Sequence, residues 1–482
     1  MTAVGDLDIE AFRAAAHRAA DWIADYLKDI EERPVLPRVV PGDVRRALPE
    51  HPPRDGEPLD AILDDFESLL VPATTQWNSP GFMAYFASSG SAPGILGELL
   101  AAGLNANAML WRTGPAQTEL EQVALDWLRQ ILGLPEPLFG VINDTASSST
   151  LYALAAARDA AGDAAAERGG VDALPPMRIY ASAEAHSSVA KATMVLGLGR
   201  DGLRAIPVDA ELRMDPAALE DAIAEDTAAG LRPCAVVATA GTTSTTSVDP
   251  IPAVADVCAR RGLWLHVDAA YAGAAAAAPE YRWVLDGAER ADSIVVNPHK
   301  WLFTPMDCSV LWTGRPLALR SAFSLVPEYL RTAEAANPDA IDLMDYGVSL
   351  GRRFRALKLW MVLRAFGSDG IASRVREHCR FAELLSQWVR GSPDFELLAP
   401  APLSVVCLRA HPAGVDGDAE LDALNESIVD RVNSSGRFFI SHTRVRGVYA
   451  IRVAFGNLRA TEAHVHGIWN SLRNSLSARK AM

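Results

Sequence analysis

Two side chains in the sequence stand directly after short apolar runs and could take part in covalent chemistry. Lys300 follows the run at 293–296, within the letters NPHKW. A lysine in apolar surroundings loses basicity, and a neutral amine can attack a carbonyl carbon to form a Schiff base. Asp268 ends the run at 263–267, and the carboxyl end of a buried strand is where α/β sheets bind ligands. Taken alone, Lys300 reads equally well as a surface lysine after a turn.

A turn rich in hydroxyl side chains, at 145–150, comes before a predicted helix at 151–160. The free N–H groups and the dipole at a helix start attract anions, although capping by Ser or Thr is the commoner reason for such a turn. A phosphorylated aldehyde cofactor needs a lysine for its imine, an anion site for its phosphate and a carboxylate for its ring nitrogen. Lys300, Asp268 and this turn together form that set.

The elements that must position these groups follow from the hydrophobic pattern. Strands are predicted at 178–180, 235–238, 263–267, 293–296 and 309–312, with helical stretches between some of them. This alternation predicts an α/β domain with a mostly parallel central sheet at 91–370. An amphipathic helix and a proline-rich connector predict an N-terminal helical arm at 1–90 that packs on another domain or on a second subunit. The pattern at 371–482 predicts a small C-terminal α+β domain.

The composition excludes several classes of partner. The chain has 482 residues, 22% of them charged, and a formal net charge of −15, which argues against a nucleic-acid partner. Five scattered cysteines without a CxxC predict free thiols in a reducing compartment. The acidic N-terminus does not resemble a signal peptide, and the most apolar tract is too short to cross a membrane. We therefore expect a cytoplasmic protein with no membrane partner and no metal site.

Several motifs together resemble those of one enzyme family. They are the segments at 266–273 (HVDAAYAG) and 297–302 (NPHKWL), the aromatic segment at 77–86, the letters AHSSV at 185–189 and GRRFR at 351–355. On these motifs the chain resembles the group II pyridoxal-phosphate (PLP) dependent amino-acid decarboxylases, and among them the aromatic L-amino-acid decarboxylases. The resemblance implies the aspartate-aminotransferase-like fold type I and a homodimer with active sites at the subunit interface. The N-terminal arm at 1–90 would then serve as a dimer clasp. It also implies conversion of an aromatic L-amino acid to the amine and CO2.

The resemblance also implies roles for individual residues. Lys300 would form the Schiff base with PLP, Asp268 would pair with its ring nitrogen, and His186 would stack on the ring. The remaining cofactor contacts would come from Ala146, Ser147, Thr243, Ala270, Asn297 and His299. Predicted catalytic residues are Lys300, His186, His299 and Tyr346. Predicted substrate contacts are Trp77, Tyr85, Phe86, Asn107, Met109 and Arg452, although core packing is the commoner role for an aromatic side chain in the segment at 77–86.

The sequence departs from the family pattern in three respects. A gapless count places Leu343 where the family has a loop tyrosine that protonates the substrate carbon, and Tyr346 is a nearby substitute. Asn107 and Met109 replace apolar and phenylalanine side chains of the substrate pocket. Asp144 replaces a glycine beside the phosphate turn, so we expect its carboxylate to face away or to pair with a cation.

These departures keep other reactions open. Without a proton donor the reaction can shift from amine toward aldehyde, ammonia and peroxide. The same fold also supports other PLP reactions on amino acids. A PLP-fold protein without activity, acting through interactions, is a third alternative.

Overall fold

A computed structural model describes residues 6–162, 170, 174–325, 330 and 332–480. The α-helices are α1 (Ile9–Lys28), α2 (Asp43–Ala47), α3 (Leu59–Asp65), α4 (Ala92–Leu104), α5 (Pro115–Leu132), α6 (Ala146–Ala161), α7 (Ser187–Val195), α8 (Pro216–Ala228), α9 (Ile251–Arg261), α10 (Pro316–Phe323), α11 (Arg355–Arg390), α12 (Asp418–Ser434) and α13 (Glu462–Lys480). The strands are β1 (Phe139–Asn143), β2 (Met177–Ser182), β3 (Leu203–Ile206), β4 (Arg232–Thr239), β5 (Trp264–Asp268), β6 (Ser293–Val296), β7 (Ser309–Thr313), β8 (Phe395–Leu397), β9 (Val405–Ala410), β10 (Ser441–Val445) and β11 (Val448–Ala454).

A seven-stranded sheet organises the large part of the chain, in the order β1-β7-β6-β5-β4-β2-β3. The five strands that are neighbours in the order β6-β5-β4-β2-β3 pair in parallel, and β7 pairs antiparallel with both β6 and β1. Alternate residues of β4 enter different apolar clusters, Val236 and Ala238 on one face and Ala235 and Val237 on the other. Both faces of the sheet are therefore covered, as a mostly parallel sheet requires.

Helix α6 begins where the hydroxyl-rich turn was predicted. Thr145 precedes the helix, and its side chain accepts the backbone N–H of Ser148 in the first turn. The Ser148 side chain accepts the backbone N–H of Thr145, which completes a capping box. This arrangement satisfies some of the backbone N–H groups that a helix start leaves free. Because α6 directly follows β1, its first residues lie at the carboxyl end of the sheet.

The smaller sheet is antiparallel, in the order β10-β11-β9-β8. Part of the aromatic segment extends this sheet from far away in the sequence. The N–H of Met83 donates to Phe439 O, and the N–H of Ala454 donates to Met83 O, both at 2.9 Å. The segment that was predicted as part of the N-terminal arm is therefore built into the C-terminal sheet.

Helix α11 crosses from the large sheet to the small one, with a break at Gly367, which has φ +63°. The left-handed region costs glycine little. Near its start α11 packs closely against α4: a Cβ atom added to Gly97 would lie only 2.5 Å from Lys358 Cα, so the close approach requires glycine there. The predicted domain boundary at residue 370 falls inside α11 and stays a prediction.

The predicted strands agree with β2, β4, β5, β6 and β7 to within a few residues. The prediction overlooked β1, because the residues from Gly140 onward were read as one loop together with the hydroxyl-rich turn at 145–150. Within the described residues, no helix combines the length and the apolarity needed to span a bilayer.

Candidate active site

A cavity of about 200 Å³ opens at the carboxyl ends of β4, β5 and β6. All of the residues predicted to bind the cofactor line it, together with Phe86 from the substrate set. They are Ala146, Ser147, His186, Thr243, Asp268, Ala270, Asn297, His299 and Lys300. Strand ends, the start of α6 and the turn before α7 converge here, because the carboxyl ends of parallel strands meet at one edge of the sheet.

The Lys300 amine lies inside this cavity, 5.2 Å from the centre of the Phe86 ring. Burial lowers the pKa of Lys300 below its ordinary value, and the Arg452 cation acts in the same direction, whereas the Asp268 carboxylate opposes them. A lowered amine pKa increases the neutral, nucleophilic fraction near neutral pH. The surroundings therefore suit a lysine that attacks a carbonyl carbon.

Asp268 and His186 belong to the same cavity. Asp268 ends β5, is 5% exposed, and accepts the Ala270 N–H at 3.1 Å. His186 caps α7, and its Nδ1 accepts the Ser188 N–H at 3.1 Å, which fixes the ring orientation. Burial lowers the pKa of His186, and the Asp268 charge partly opposes that shift.

The other end of the cavity carries groups suited to an anion. The first residues of α6, Ala146 and Ser147, face it, and Asn297 and His299 line it from the turn after β6. His299 Nδ1 accepts the Cys308 N–H at 2.9 Å, so the neutral ring carries its proton on Nε2. Burial lowers the pKa of His299 to about 4, which keeps the ring neutral at physiological pH.

Arg452 also lies beside the Phe86 ring. Its guanidinium carbon is 4.9 Å from the Phe86 ring centre, and Nε donates to Thr243 O at 3.1 Å. Nη1 donates to Tyr85 O at 2.7 Å, whereas Nη2 is buried without a hydrogen-bond partner among the described residues. Arg452 thus keeps a buried guanidinium nitrogen without a hydrogen-bond partner, next to a ring that lines the cavity.

The remaining predicted residues lie outside the cavity of this chain. Trp77 stacks on Phe82 at a ring distance of 4.2 Å, and Trp77 and Tyr85 are 41% and 53% exposed. Tyr346 packs on Phe139 at 4.4 Å. These aromatic groups form separate surfaces, so one chain does not bring the whole predicted site together.

Asn107 and Met109 form a third group, away from Lys300. Asn107 Oδ1 accepts the Arg352 N–H at 2.9 Å, and the Met109 carbonyl accepts the Met344 N–H at 3.1 Å. Leu343, beside Met344, is 1% exposed and belongs to the apolar core around Val141. Packing therefore explains a leucine at position 343.

Asp144 also lies outside the cavity, as expected for a carboxylate near a phosphate turn. It accepts the Thr145 N–H at 2.7 Å and contacts the Ser148 hydroxyl. The cleft that it lines also contains Arg352, Arg353 and Arg355. Its charge therefore faces cations rather than the anion end of the cavity.

The sequence prediction missed several residues of the cavity. Tyr271 and Thr239 line it, and so does Met306, which lies on a loop. Tyr271 stacks on Phe86 with ring centres 3.7 Å apart. Thr239 ends β4 as Asp268 ends β5, so the strand-end rule that selected Asp268 could also have found Thr239.

The residues present fit pyridoxal phosphate. The cavity contains an amine of lowered pKa, a carboxylate and a helix start. Asn297 Oδ1 and Thr239 Oγ1 are buried and have no hydrogen-bond partner within the described part of the chain, so a bound polar group would satisfy them. In the same residues, no group of three or more His, Cys, Asp or Glu side chains is arranged to hold a metal ion.

The buried histidines predict how stability depends on pH. Burial lowers the pKa of His266, His299 and His378 to about 4, against about 6.5 in the unfolded chain. The unfolded chain binds these protons first, so stability is lost as the pH falls from about 6.5 toward 4, by on the order of 3 kcal/mol per histidine. Burial raises the pKa of Asp249 to about 6, so the folded chain binds this proton first and Asp249 adds stability as the pH falls.

We therefore expect the free energy of unfolding in urea to fall between pH 7 and pH 4.5. Replacing Asp249 by asparagine should make that fall steeper, because one of the opposing protons is removed. A free energy of unfolding that rises on acidification would contradict the assignment of three neutral buried histidines.

Comparison with known proteins agrees with the geometry. Residues 41–411 match the family described as the pyridoxal-dependent decarboxylase conserved domain. Tryptophan decarboxylase TDC2 of Camptotheca acuminata is 40% identical, over 98% of this chain and 96% of its own length. Phenylacetaldehyde synthase of Arabidopsis thaliana is 40% identical, over 98% and 97%.

A solved structure extends this likeness to the fold. The crystal structure of Oryza sativa TDC with PLP and tryptamine superposes with a TM-score of 0.95 and 39% identity, covering 99% of this chain and 100% of that one. The predicted fold type I, with its mostly parallel large sheet and small C-terminal sheet, is thereby confirmed. The chain belongs to the family of pyridoxal-dependent decarboxylases and is a PLP-dependent lyase.

Proposed function

We propose that this protein converts an aromatic L-amino acid to the corresponding amine and CO2, with PLP attached to Lys300. The observation that carries the proposal is the Lys300 amine, of lowered pKa, in one cavity with Asp268 and His186. The likeness to a tryptophan decarboxylase supports an aromatic substrate. PLP, when bound, supplies a protonated ring that withdraws electrons from the bond to be broken.

The protein side chains would bind and orient the reactants. Asp268 would keep the ring nitrogen protonated, and His186 would cover the ring face. Ala146, Ser147, Asn297 and His299 would hold the phosphate, because a helix start and neutral polar groups suit an anion. Thr243 and Ala270 would line the ring edge.

Arg452 and Phe86 would face the substrate. The free Nη2 donor of Arg452 could bind the substrate carboxylate, and Phe86 would offer an apolar surface to an aromatic side chain. Arg452 would hold the substrate carboxylate and Phe86 the aromatic side chain of the substrate, and neither group would take part in bond breaking. Orientation of the bond to Cα is what the protein contributes to such a reaction.

The test is an assay of amine and CO2 with Trp, Phe, Tyr, DOPA, His and acidic amino acids. Release of equal amounts of CO2 and an aromatic amine is expected. Transfer of the amino group without CO2 would assign a different PLP reaction, and no turnover of any amino acid by PLP-loaded protein would favour the catalytically silent alternative.

An aldehyde product is the second candidate, favoured by the likeness to a phenylacetaldehyde synthase. That reaction consumes O2 and water and releases the aldehyde, CO2, ammonia and hydrogen peroxide. It competes when the substrate carbon is not protonated in time. Residues 324–354 contain two tyrosines that could donate this proton, Tyr346, which packs on Phe139, and Tyr329, which lies outside the described residues.

The two tyrosines can be separated by their effect on the product. We expect Tyr346→Phe to leave the ratio of amine to aldehyde within about twofold, because burial raises the pKa of Tyr346 and its half-buried ring packs on Phe139, outside the cavity. Tyr329→Phe is the matched comparison, and there the aldehyde share should rise. Peroxide and amine are measured at full turnover. A rise in peroxide with Tyr346→Phe alone would return the proton-donor role to Tyr346.

We also propose that the active protein is a homodimer whose subunits complete each other's sites. Helix α1 buries no residue, and α4 buries only Gly94 and Gly97. On α4 the leucines are each more than half exposed, namely Leu96, Leu99, Leu100 and Leu104. An apolar face of this size usually marks an interface. In such a dimer, Asn107 and Met109 would line the substrate site of the other subunit.

A charge on this face should break the dimer. We expect Leu100→Glu to give monomers in sedimentation experiments and to reduce kcat/KM by at least about tenfold, since a buried unpaired carboxylate is costly. Leu317→Glu is the control, because Leu317 is 78% exposed on α10, away from α4. A Leu100→Glu protein that remains dimeric and active would place the interface elsewhere.

A cytoplasmic location is the last part of the proposal. All five cysteines are buried and unpaired. Free buried thiols are typical of proteins that work in reducing compartments.

A further inference from the structure

The buried side chain of His378 forms hydrogen bonds with two residues near the active site, Trp301 and Asn457. His378 is 3% exposed in the middle of α11, and no role was predicted for it. Trp301 Nε1 donates to His378 Nδ1 at 2.8 Å, and His378 Nε2 lies 3.0 Å from Asn457 O. Because Nδ1 accepts, the proton of the neutral ring lies on Nε2, which donates to that carbonyl. Each ring nitrogen therefore holds a different partner.

The Nδ1 branch leads to Lys300 through stacked rings. Trp301 stacks on Tyr271 with ring centres 4.7 Å apart and planes 3° from parallel. Tyr271 stacks on Phe86 at 3.7 Å and 13°. The Phe86 ring lies against Lys300 and Arg452. Fixing the Trp301 indole therefore limits the tilt of every ring up to the cavity.

The Nε2 branch leads to the same phenylalanine along the backbone. Asn457, whose carbonyl accepts from His378, donates from Nδ2 to Trp77 O at 3.2 Å and to Ser79 O at 2.9 Å. These carbonyls begin the aromatic segment at 77–86, which ends at Phe86. Asn457 is 1% exposed, so water does not compete for its bonds.

We propose that His378 is a positioning residue that sets the Phe86 wall of the substrate pocket from two sides. One nitrogen holds the ring stack beneath Phe86, and the other holds the start of the segment that carries Phe86. The proposal rests on the proposed function, because the wall is expected to face an aromatic side chain.

Two conservative substitutions separate the branches. In His378→Asn the side-chain oxygen replaces Nδ1 and keeps the acceptor for Trp301, but the donor to Asn457 is lost. In His378→Gln the amide nitrogen replaces Nε2 and keeps that donor, but Trp301 loses its acceptor. Val389→Ala is the matched control, since Val389 is fully buried on the same helix and contacts neither branch by hydrogen bonds.

Each of the two His378 variants is expected to raise KM for the aromatic substrate by about three- to tenfold, which is the effect of one lost hydrogen bond, with a smaller change in kcat. The dissociation constant of tryptamine, used as a probe of the wall, should rise by the same factor. Val389→Ala is expected to leave KM unchanged. His378→Gln should also shift the pH at which the absorbance of Lys300-bound PLP changes, because the ring beneath Lys300 moves. His378→Asn should leave that pH as in the unchanged protein.

Thermal unfolding of all three variants separates positioning from general stability. If Val389→Ala lowers Tm as much as the His378 variants and raises KM equally, His378 has only a structural role. If both His378 variants keep KM and the tryptamine dissociation constant within twofold, the proposal is overturned. Tryptamine binding and the absorbance titration need no turnover. A protein that releases no CO2 from any aromatic amino acid would therefore contradict the proposed function without deciding the role of His378.

Discussion

Replacing Lys300 by alanine is expected to reduce kcat by at least about 10⁴-fold, the scale of losing a residue that acts as the covalent attachment point. The reason lies in the position of the amine. It lies in the cavity beside Asp268 and Phe86, where burial lowers its pKa. Alanine leaves PLP without a nucleophile to hold it and without an amine to displace. CO2 release and the visible absorbance of PLP-loaded protein are the measurements.

An exposed lysine nearby serves as the control. Lys191 lies on α7, the helix that His186 caps, and its side chain faces solvent. Lys191→Ala should keep kcat within about twofold and should keep the absorbance. Equal losses in both variants, or CO2 release by Lys300→Ala at a tenth of the original rate, would refute the assignment of Lys300.

Asp268→Asn is expected to have the second largest effect, a loss of about 10²- to 10³-fold in kcat. The substitution keeps the size of the side chain and removes its charge. Without the carboxylate the ring nitrogen of PLP would be held less often in the protonated form that withdraws electrons. The pKa of Lys300 should fall further as well, because the Asp268 charge is the group that raises it.

Asp144→Asn is the matched control for that loss of charge. Asp144 lies at the start of α6 but faces the arginine-lined cleft instead of the cavity. Its substitution should leave kcat within about threefold. A comparable loss in both variants would mean that overall charge, and not the position of Asp268, determines the rate.

The cavity could be predicted from the sequence because its parts obey local rules. Lys300 and Asp268 follow apolar runs, and the carboxyl ends of parallel strands meet at one edge of a sheet. The phosphate end follows from the chemistry of a helix start. Each rule needs only a short window of sequence and led to Lys300, Asp268 and the hydroxyl-rich turn. The other predicted cofactor residues came from the family resemblance, and they line the same cavity.

The substrate side could not be predicted in the same way. Asn107 and Met109 are held by Arg352 and Met344, outside the cavity that contains Lys300, so a substrate role for them rests on the proposed homodimer. A gapless count placed Leu343 at the position of the family's loop tyrosine, and in the structure its side chain belongs to the core. Distances along the chain do not record which surface a loop residue faces.

The backbone pairing of Met83 has a consequence for how the protein is made. Its partners, Phe439 and Ala454, are synthesised near the end of the chain. On the ribosome, the aromatic segment at 77–86 therefore waits through most of translation before its partner strands exist. Contacts this distant in sequence form slowly and leave apolar surface exposed in the meantime. During synthesis, binding of this segment by a chaperone would protect the nascent chain until its partner strands are made.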